Sequence, residues 1–317
     1  MFYDYDRTVT IYHLDKYDNY CIGSEEFRQI RGTGLPFSST DIAPPSTPCR
    51  EGYIYVFKDN KWEEVADTFK KVLLNEINYT YDKPIPPVFM KVNIDDPIKY
   101  MPEYRGVPKF SNPANQALVI AAKFSIIQDD FLDIVQLHGN LIESINNLEM
   151  RRYYDSPHMK LRIKTEGLIL SMRTLLDELT QLTYILAYND KFNSDLKIEI
   201  DSVGLLFYEH KSNKYPLCKD VILGDDITYE KDGSSFIRTL NNLFNSIKHS
   251  HIHYESLNTH AEIPNVVSFS VMKNDFTNQT IDYHNHSLFH IIFGFIDNFF
   301  RIIENQKKLI DRLNNKR

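Results

Sequence analysis

The chain of 317 residues contains 11 glycines and one tryptophan. Glycine this scarce argues against a glycine-looped nucleotide fold, and no phosphate loop, G-x-S-x-G or H-E-x-x-H occurs. No cofactor is therefore expected. The cysteines are three, Cys21, Cys49 and Cys218, with no C-x-x-C pair. Reduced thiols are the simplest reading, with a Cys21–Cys49 bridge as the alternative. No excess of basic residues exists: 36 Lys and Arg face 43 Asp and Glu, a formal charge of −7. General nucleic-acid binding is not expected, and only a local basic patch would serve it. Long apolar runs are also missing. Ile291–Ile303 is the most apolar stretch, but it is interrupted by Asp297, Asn298 and Arg301 and is too short for a bilayer. The opening MFYDYDRTVT lacks a basic region followed by an apolar run, so no secretory signal and no membrane anchor are expected.

Aromatics are abundant instead, with 20 Tyr and 20 Phe, which suits a protein with extensive contact surfaces. In RTVTIYHLD (Arg7–Asp15), branched and polar residues alternate as in a half-buried strand. EGYIYVFKDNKWEEV (Glu51–Val65) reads as a hairpin: Tyr53, Tyr55 and Phe57 share one face, Asp59-Asn60 turns, and Trp62 opens the return strand. Between them, LPFSSTDIAPPSTP crosses in an irregular extended form, because its prolines cannot donate ladder hydrogen bonds. From about Asn75 to Pro113, prolines recur too often for helices to persist, and an extended connector packed along a neighbour is expected.

Helical periodicity starts at Pro113 and runs to about Arg152, then resumes from about His158 to Tyr188. LKIEI, within Lys191–Pro216, fits a short strand or a helix. Asp232–Ser250 reads as a helix and Asn265–His284 as a hairpin around NDFTNQ. HSLFHIIFGFIDNFFRIIENQKKLIDRLNN closes the chain as an amphipathic helix with a stripe through Leu288, Ile292, Phe295, Phe299, Ile303 and Leu309. The expected class is α+β: a small N-terminal β module (1–72), a proline-punctuated extended connector (73–113), and a C-terminal α-helical bundle with an inserted β-hairpin (114–317).

Seven of the eleven histidines lie between His249 and His290. His249 and His253, and likewise His286 and His290, are four apart, so each pair would share one helix face. Two facing pairs are candidate metal ligands. The competing reading is polar helix-end residues, with Lys248-His249 at the negative end of a helix dipole. Adjacent acids such as Asp129-Asp130 and Asp225-Asp226 diverge by about 100° on a helix and do not form catalytic dyads.

Two resemblances bear on function. MRTLLDELTQLTY (Met172–Tyr184) and RTLNNLFNSIKHSHIHYE are similar in style to HEPN-type helical domains. That resemblance implies an effector, an RNase in a defence or toxin system, with Arg238 polarising a phosphate and His249 moving a proton. These two residues are eleven apart, beyond the usual gap of that family. Separately, FYDYDRTVTIYHLDKYDNYCIGS followed by LPFSSTDIAPPSTPCREGYIYVFKDNKWEEVAD resembles the N-terminal module of bacteriophage tail-fibre assembly proteins. Leu35, Pro36, Thr40, Pro44 and Pro45 match its "LP-x-x-x-T-x-x-x-PP" crossing, and Phe57, Trp62, Val65 and Asp67 match "F-x-x-x-x-W-x-x-V-x-D". The match covers about a fifth of the chain, departs from the family at Thr68-Phe69-Lys70, and leaves the helical half outside the pattern. It implies a non-enzymatic tail-fibre chaperone or accessory structural component. Such a protein would act in the bacterial cytoplasm during assembly or stay in the virion tail. Its partner would be a tail-fibre or tail protein, and the helical domain would provide for homo-oligomers. Tyr53, Tyr55, Phe57 and Trp62 are the expected docking or packing residues, with Pro44 and Pro45 fixing the loop.

Overall fold

The computed structural model describes residues 5–16, 18–67, 73–104, 113–146, 157–224, 229, 234–249, 263–271 and 280–315. The chain is an α+β protein of two compact units, Met1–Val72 and Leu73–Arg317.

In the first unit, β1 (Arg7–Leu14) pairs antiparallel with β2 (Cys21–Gln29) on one side and β3 (Ser39–Thr40) on the other. β4 (Tyr53–Lys58) and β5 (Lys61–Ala66) form a separate hairpin. Its turn has Asp59 at φ 51° and Asn60 at φ 59°, the left-handed pair that matches the strand twist. A bridge between Tyr20 and Val56, and the Phe57 N–H donating to Asn19 O at 2.9 Å, join hairpin to sheet. The interior of this unit is small and partly polar. Among its described residues, Ile11 and Leu14 are the buried apolar side chains. Beside them Gln29, wholly buried, accepts from Arg7 Nε at 2.8 Å and donates to Thr33 O at 2.8 Å, while Arg7 Nη2 reaches Asp41 at 2.7 Å.

The second unit is built on α2 (Pro113–Asn146) and α3 (Pro157–Ala187). Lys123 pairs with Glu178, and Lys164 with Asp133 at 2.8 Å, which fixes the two helices antiparallel. α3 touches α2, α6 (Pro216–Leu223), α7 (Ser234–His249) and α8 (Leu288–Asn314), so Leu168, Leu175, Leu176 and Leu179 are all sealed. Phe124 of α2 stacks on Phe299 of α8 with centroids 4.1 Å apart. Deep between helices, Gln306 accepts from the Tyr104 hydroxyl at 2.7 Å and donates to Leu179 O and Thr183 Oγ1.

The proline-rich segment belongs to this second unit. Its first residues form β6 (Leu73–Ile77), parallel to β8 (Thr280–Ser287), which pairs antiparallel with β7 (Asn265–Val271). The inserted hairpin is thus two strands of a three-stranded sheet. Beyond β6 the segment lies along α2 and α8: Phe89 packs on Phe131 at 4.7 Å and on Phe293 at 5.7 Å, and the Val92 N–H donates to Gln128 Oε1 at 2.7 Å. A single helical turn and a half, α1 (Asp95–Tyr100), interrupts it, with Pro97 in the first turn.

LKIEI forms neither a strand nor a helix. α4 (Asn189–Asp195) ends with Leu196 at φ 49°, a left-handed stop, and the chain is irregular until a 3-10 turn at Val203–Phe207 and the short helix α5 (Glu209–Lys214). The expected ends of the helices near Arg152 and Ser250, and the hairpin turn at NDFTNQ, lie outside the described residues. Cys21, Cys49 and Cys218 are free thiols. Among the described residues no helix is long and apolar enough to cross a membrane.

Candidate functional site

Three groups of side chains bear on function, and they lie in different places. The first is the aromatic face of the β4–β5 hairpin. Register places Tyr53 opposite Ala66, Tyr55 opposite Glu64 and Phe57 opposite Trp62, so all four aromatics share one face. Trp62 meets Phe57 edge-on at 5.1 Å and donates its indole N–H to Ile42 O at 2.9 Å. Tyr55 Oη lies 3.5 Å from Thr47 Oγ1, and the Arg50 guanidinium sits 4.1 Å over the Tyr53 ring. The proline crossing is thereby tied onto this face, with Pro44 half-buried and Pro45 exposed. No side chain of the hairpin is fully buried on either face. Among the described residues the most exposed aromatic is Phe37, 89% accessible, next to Ser38 at φ 55°. Sequence pattern missed Phe37, because a lone aromatic in a loop carries no period.

The second group is the histidines. His286 and His290 do not share a helix face, because α8 begins at Leu288 and His286 is on β8. This corrects the expected pairing: strand period 2 instead places His286 beside His284. The Tyr79 N–H donates to His286 Nδ1 at 3.0 Å, so that nitrogen bears no hydrogen. A neutral imidazole has one, which must sit on Nε2 and donate to His284 Nδ1 at 3.0 Å. Burial pushes the pKa of His284 down to about 4, against the pull of Asp282, and that of His286 to about 3, with His284 adding to the effect. Both rings are neutral structural groups. His290 Nδ1 lies 3.3 Å from Tyr79 O. Among the described residues no group of three His, Cys, Asp or Glu is arranged to hold a metal. His253 and the side chain of His249 lie outside the described residues.

The third group surrounds Arg238 and was only partly legible. α7 has sixteen residues and no acidic one. Its outer face carries Arg238, Asn242, Asn245 and Lys248 at helical spacing. This face borders a cleft of about 540 Å³ with the 3-10 turn and α3 on the other side. The floor is a buried polar cluster. Arg173, 3% exposed, pairs with Asp177 and donates from Nε and Nη2 to Asn241 Oδ1 at 3.3 and 3.1 Å. Asp177 also accepts the Val203 N–H at 2.7 Å. Burial pushes the Asp177 carboxyl up, opposed by the Arg173 guanidinium and by that N–H. Gly204 permits this packing: a Cβ there would lie 3.0 Å from Asn241 Oδ1 and 3.3 Å from Arg173 Nη2. Arg238 lies 4.5 Å over the Phe207 ring and Lys248 5.3 Å from the centre of Phe244.

No protein-family model matches the chain, and no curated protein or solved structure shows significant similarity to it.

Proposed function

We propose that this protein is an accessory protein of a phage-type tail, a chaperone or structural companion of the tail fibre that works through its N-terminal unit. The observation that carries the reading is the incompleteness of that unit's interior. Among the described residues of Met1–Val72, the buried apolar side chains are Ile11 and Leu14, while Tyr5, Ile22, Ile30 and Phe37 face solvent. A domain of this size is marginal even with a full core, and burying such residues on a partner would add stability to both. β2, β3 and β5 are also sheet edges, with main-chain groups able to pair with an added strand.

In this reading Trp62, Phe57, Tyr55 and Pro44 hold the crossing on the hairpin, and Phe37, Ile22 and Tyr53 meet the fibre. The helical unit supplies a second contact surface or a platform for self-association, with Leu118, Val119 and Ile126 exposed along α2. The sequence resemblance over Phe2–Asp67 supports the choice of partner. Co-expression with the tail-fibre subunit of the same phage or prophage tests it. The fibre should move to the soluble fraction and co-purify with this protein, and Phe37→Ser with Ile22→Ser should lower the recovery. A fibre equally soluble alone, with no co-purification, contradicts the proposal.

A further inference from the structure

We infer that the groove of about 480 Å³ between residues 79–83, the end of α1 and one face of α8 binds an organic cation, an ammonium or guanidinium on an aliphatic stem. This goes beyond the docking role and does not depend on it, because the groove lies wholly within the second unit. α8 contributes Gly294, Asp297, Arg301 and Glu304 at intervals of three and four residues, so they follow one face of the helix. The opposite wall is fixed by its own bonds. The Tyr79 N–H donates to His286 Nδ1 at 3.0 Å, and Tyr79 O lies 3.3 Å from His290 Nδ1. Tyr81 stacks on Phe293 at 5.8 Å and donates its hydroxyl to Asp297 at 2.7 Å. Gly294 lets this wall come close, since a Cβ there would lie 2.8 Å from Tyr79 Oη. A wall held in this way spares a ligand the cost of ordering it.

The sign of the ligand follows from which charges are already used. Lys83 is bound to Asp297 at 2.5 Å, and Arg301 donates to Ile222 O and Asn298 Oδ1. Two carboxylates remain. Asp82 and Glu304 line the groove and have neither an ion pair nor a hydrogen bond among the described residues. The Tyr79 hydroxyl, half-buried in the same groove, has no hydrogen-bond partner among them either. Burial, and then the charges of Asp82 and Asp297, push this phenol up to about 12, so both acids act at the same hydroxyl. Aromatic surface completes the lining: Tyr100, 52% exposed, meets Phe300 edge-on at 6.4 Å. The Tyr100 ring already carries one cation, the Lys307 ammonium, at 5.2 Å from its centre. Rings beside free carboxylates suit a weakly hydrated organic cation. A bare metal ion is a poorer fit, since no three His, Cys, Asp or Glu among the described residues close on one point. The volume is in the range of small-ligand sites.

Both a free amine and a basic side chain of a peptide present this cation. Equilibrium dialysis of radiolabelled agmatine, and of a labelled Gly-Arg-Gly peptide blocked at both ends, against the full chain distinguishes them. Salt at about 0.15 M screens long-range attraction to an acidic protein. One probe at least should saturate at one equivalent per chain. The Asp82→Asn/Glu304→Gln variant should weaken binding about tenfold or more, since charge-assisted hydrogen bonds are lost. Tyr100→Leu keeps apolar area but removes the ring, and should weaken binding about two- to fivefold. Glu209→Gln, at an exposed carboxylate outside the groove, should leave binding unchanged. Agmatine binding as tightly as the peptide, or more so, assigns the site to free amines; a preference for the peptide assigns it to a basic side chain of a partner. Absence of binding by both probes, or equal affinity of the double variant and the native chain, overturns the inference. Neither substituted carboxylate makes a hydrogen bond or ion pair among the described residues, so the variant is expected to fold, and its helical circular dichroism checks this.

Discussion

Acidification should destabilise the helical unit through one identifiable pair, His284 and His286. In the folded chain both accept a hydrogen bond on the nitrogen that a second proton would occupy. Protonating either ring sets two donors against each other in a buried place. Their folded pKa values, about 4 and about 3, lie below the ordinary histidine value, so between these values and pH 6.5 the unfolded chain binds more protons. Stability is therefore full above about pH 6.5 and is lost as pH falls toward 4. Integrating over the interval from pH 7 to pH 5 gives about 2 kcal/mol for each ring, or about 4 kcal/mol together. Guanidinium unfolding followed by far-ultraviolet circular dichroism across this range measures it. The His284→Asn/His286→Asn variant supplies the control, because neither amide titrates and other groups such as the buried His138 are unchanged in it. The native chain should lose about 4 kcal/mol more than the variant between pH 7 and pH 5. Equal losses in both would refute the assignment of the neutral, hydrogen-bonded pair.

Gly294→Ala should cost about 1–3 kcal/mol by overpacking, because its Cβ would lie 2.7 Å from the Phe236 ring and 2.8 Å from Tyr79 Oη; chemical denaturation reads this directly. Gln306→Leu should cost about 2 kcal/mol or more, since it orphans the buried hydroxyl of Tyr104, and the same assay should show Tyr104→Phe partly restoring the loss. Phe299→Ala should remove about 3–5 kcal/mol by deleting the ring stacked on Phe124, seen as a lower denaturation midpoint with the same end states.

Long periodic segments were the most legible part of the fold. The stripe of α8 and those of α2 and α3 follow a 3.6-residue repeat, and each had to be buried against the others. The Asp59-Asn60 turn was legible because its chemistry is local. β6 was not, since its partner β8 lies some two hundred positions further along and pairing at that distance leaves no trace in a short window. His286 was misplaced for a related reason: its helix starts two residues later, and the change of period from 3.6 to 2 moves its neighbour from His290 to His284. In the cleft, Arg238 and the asparagines of α7 were visible as types, but Arg173 and Gly204 take their meaning from packing between α3 and the 3-10 turn. Phe37 stands alone in a loop and only its exposure marks it.

In the proposed role the N-terminal unit is unfinished without a partner, and the single tryptophan offers a direct reading of that unit. Trp62 fluorescence, excited where tyrosine does not absorb, reports the β module, while circular dichroism at 222 nm reports the helices of the second unit. In a guanidinium titration of the isolated chain, the fluorescence transition should come at distinctly lower denaturant than the helical one. A single coincident transition by both probes would mean that the module is already completed within its own chain, and would contradict the claim.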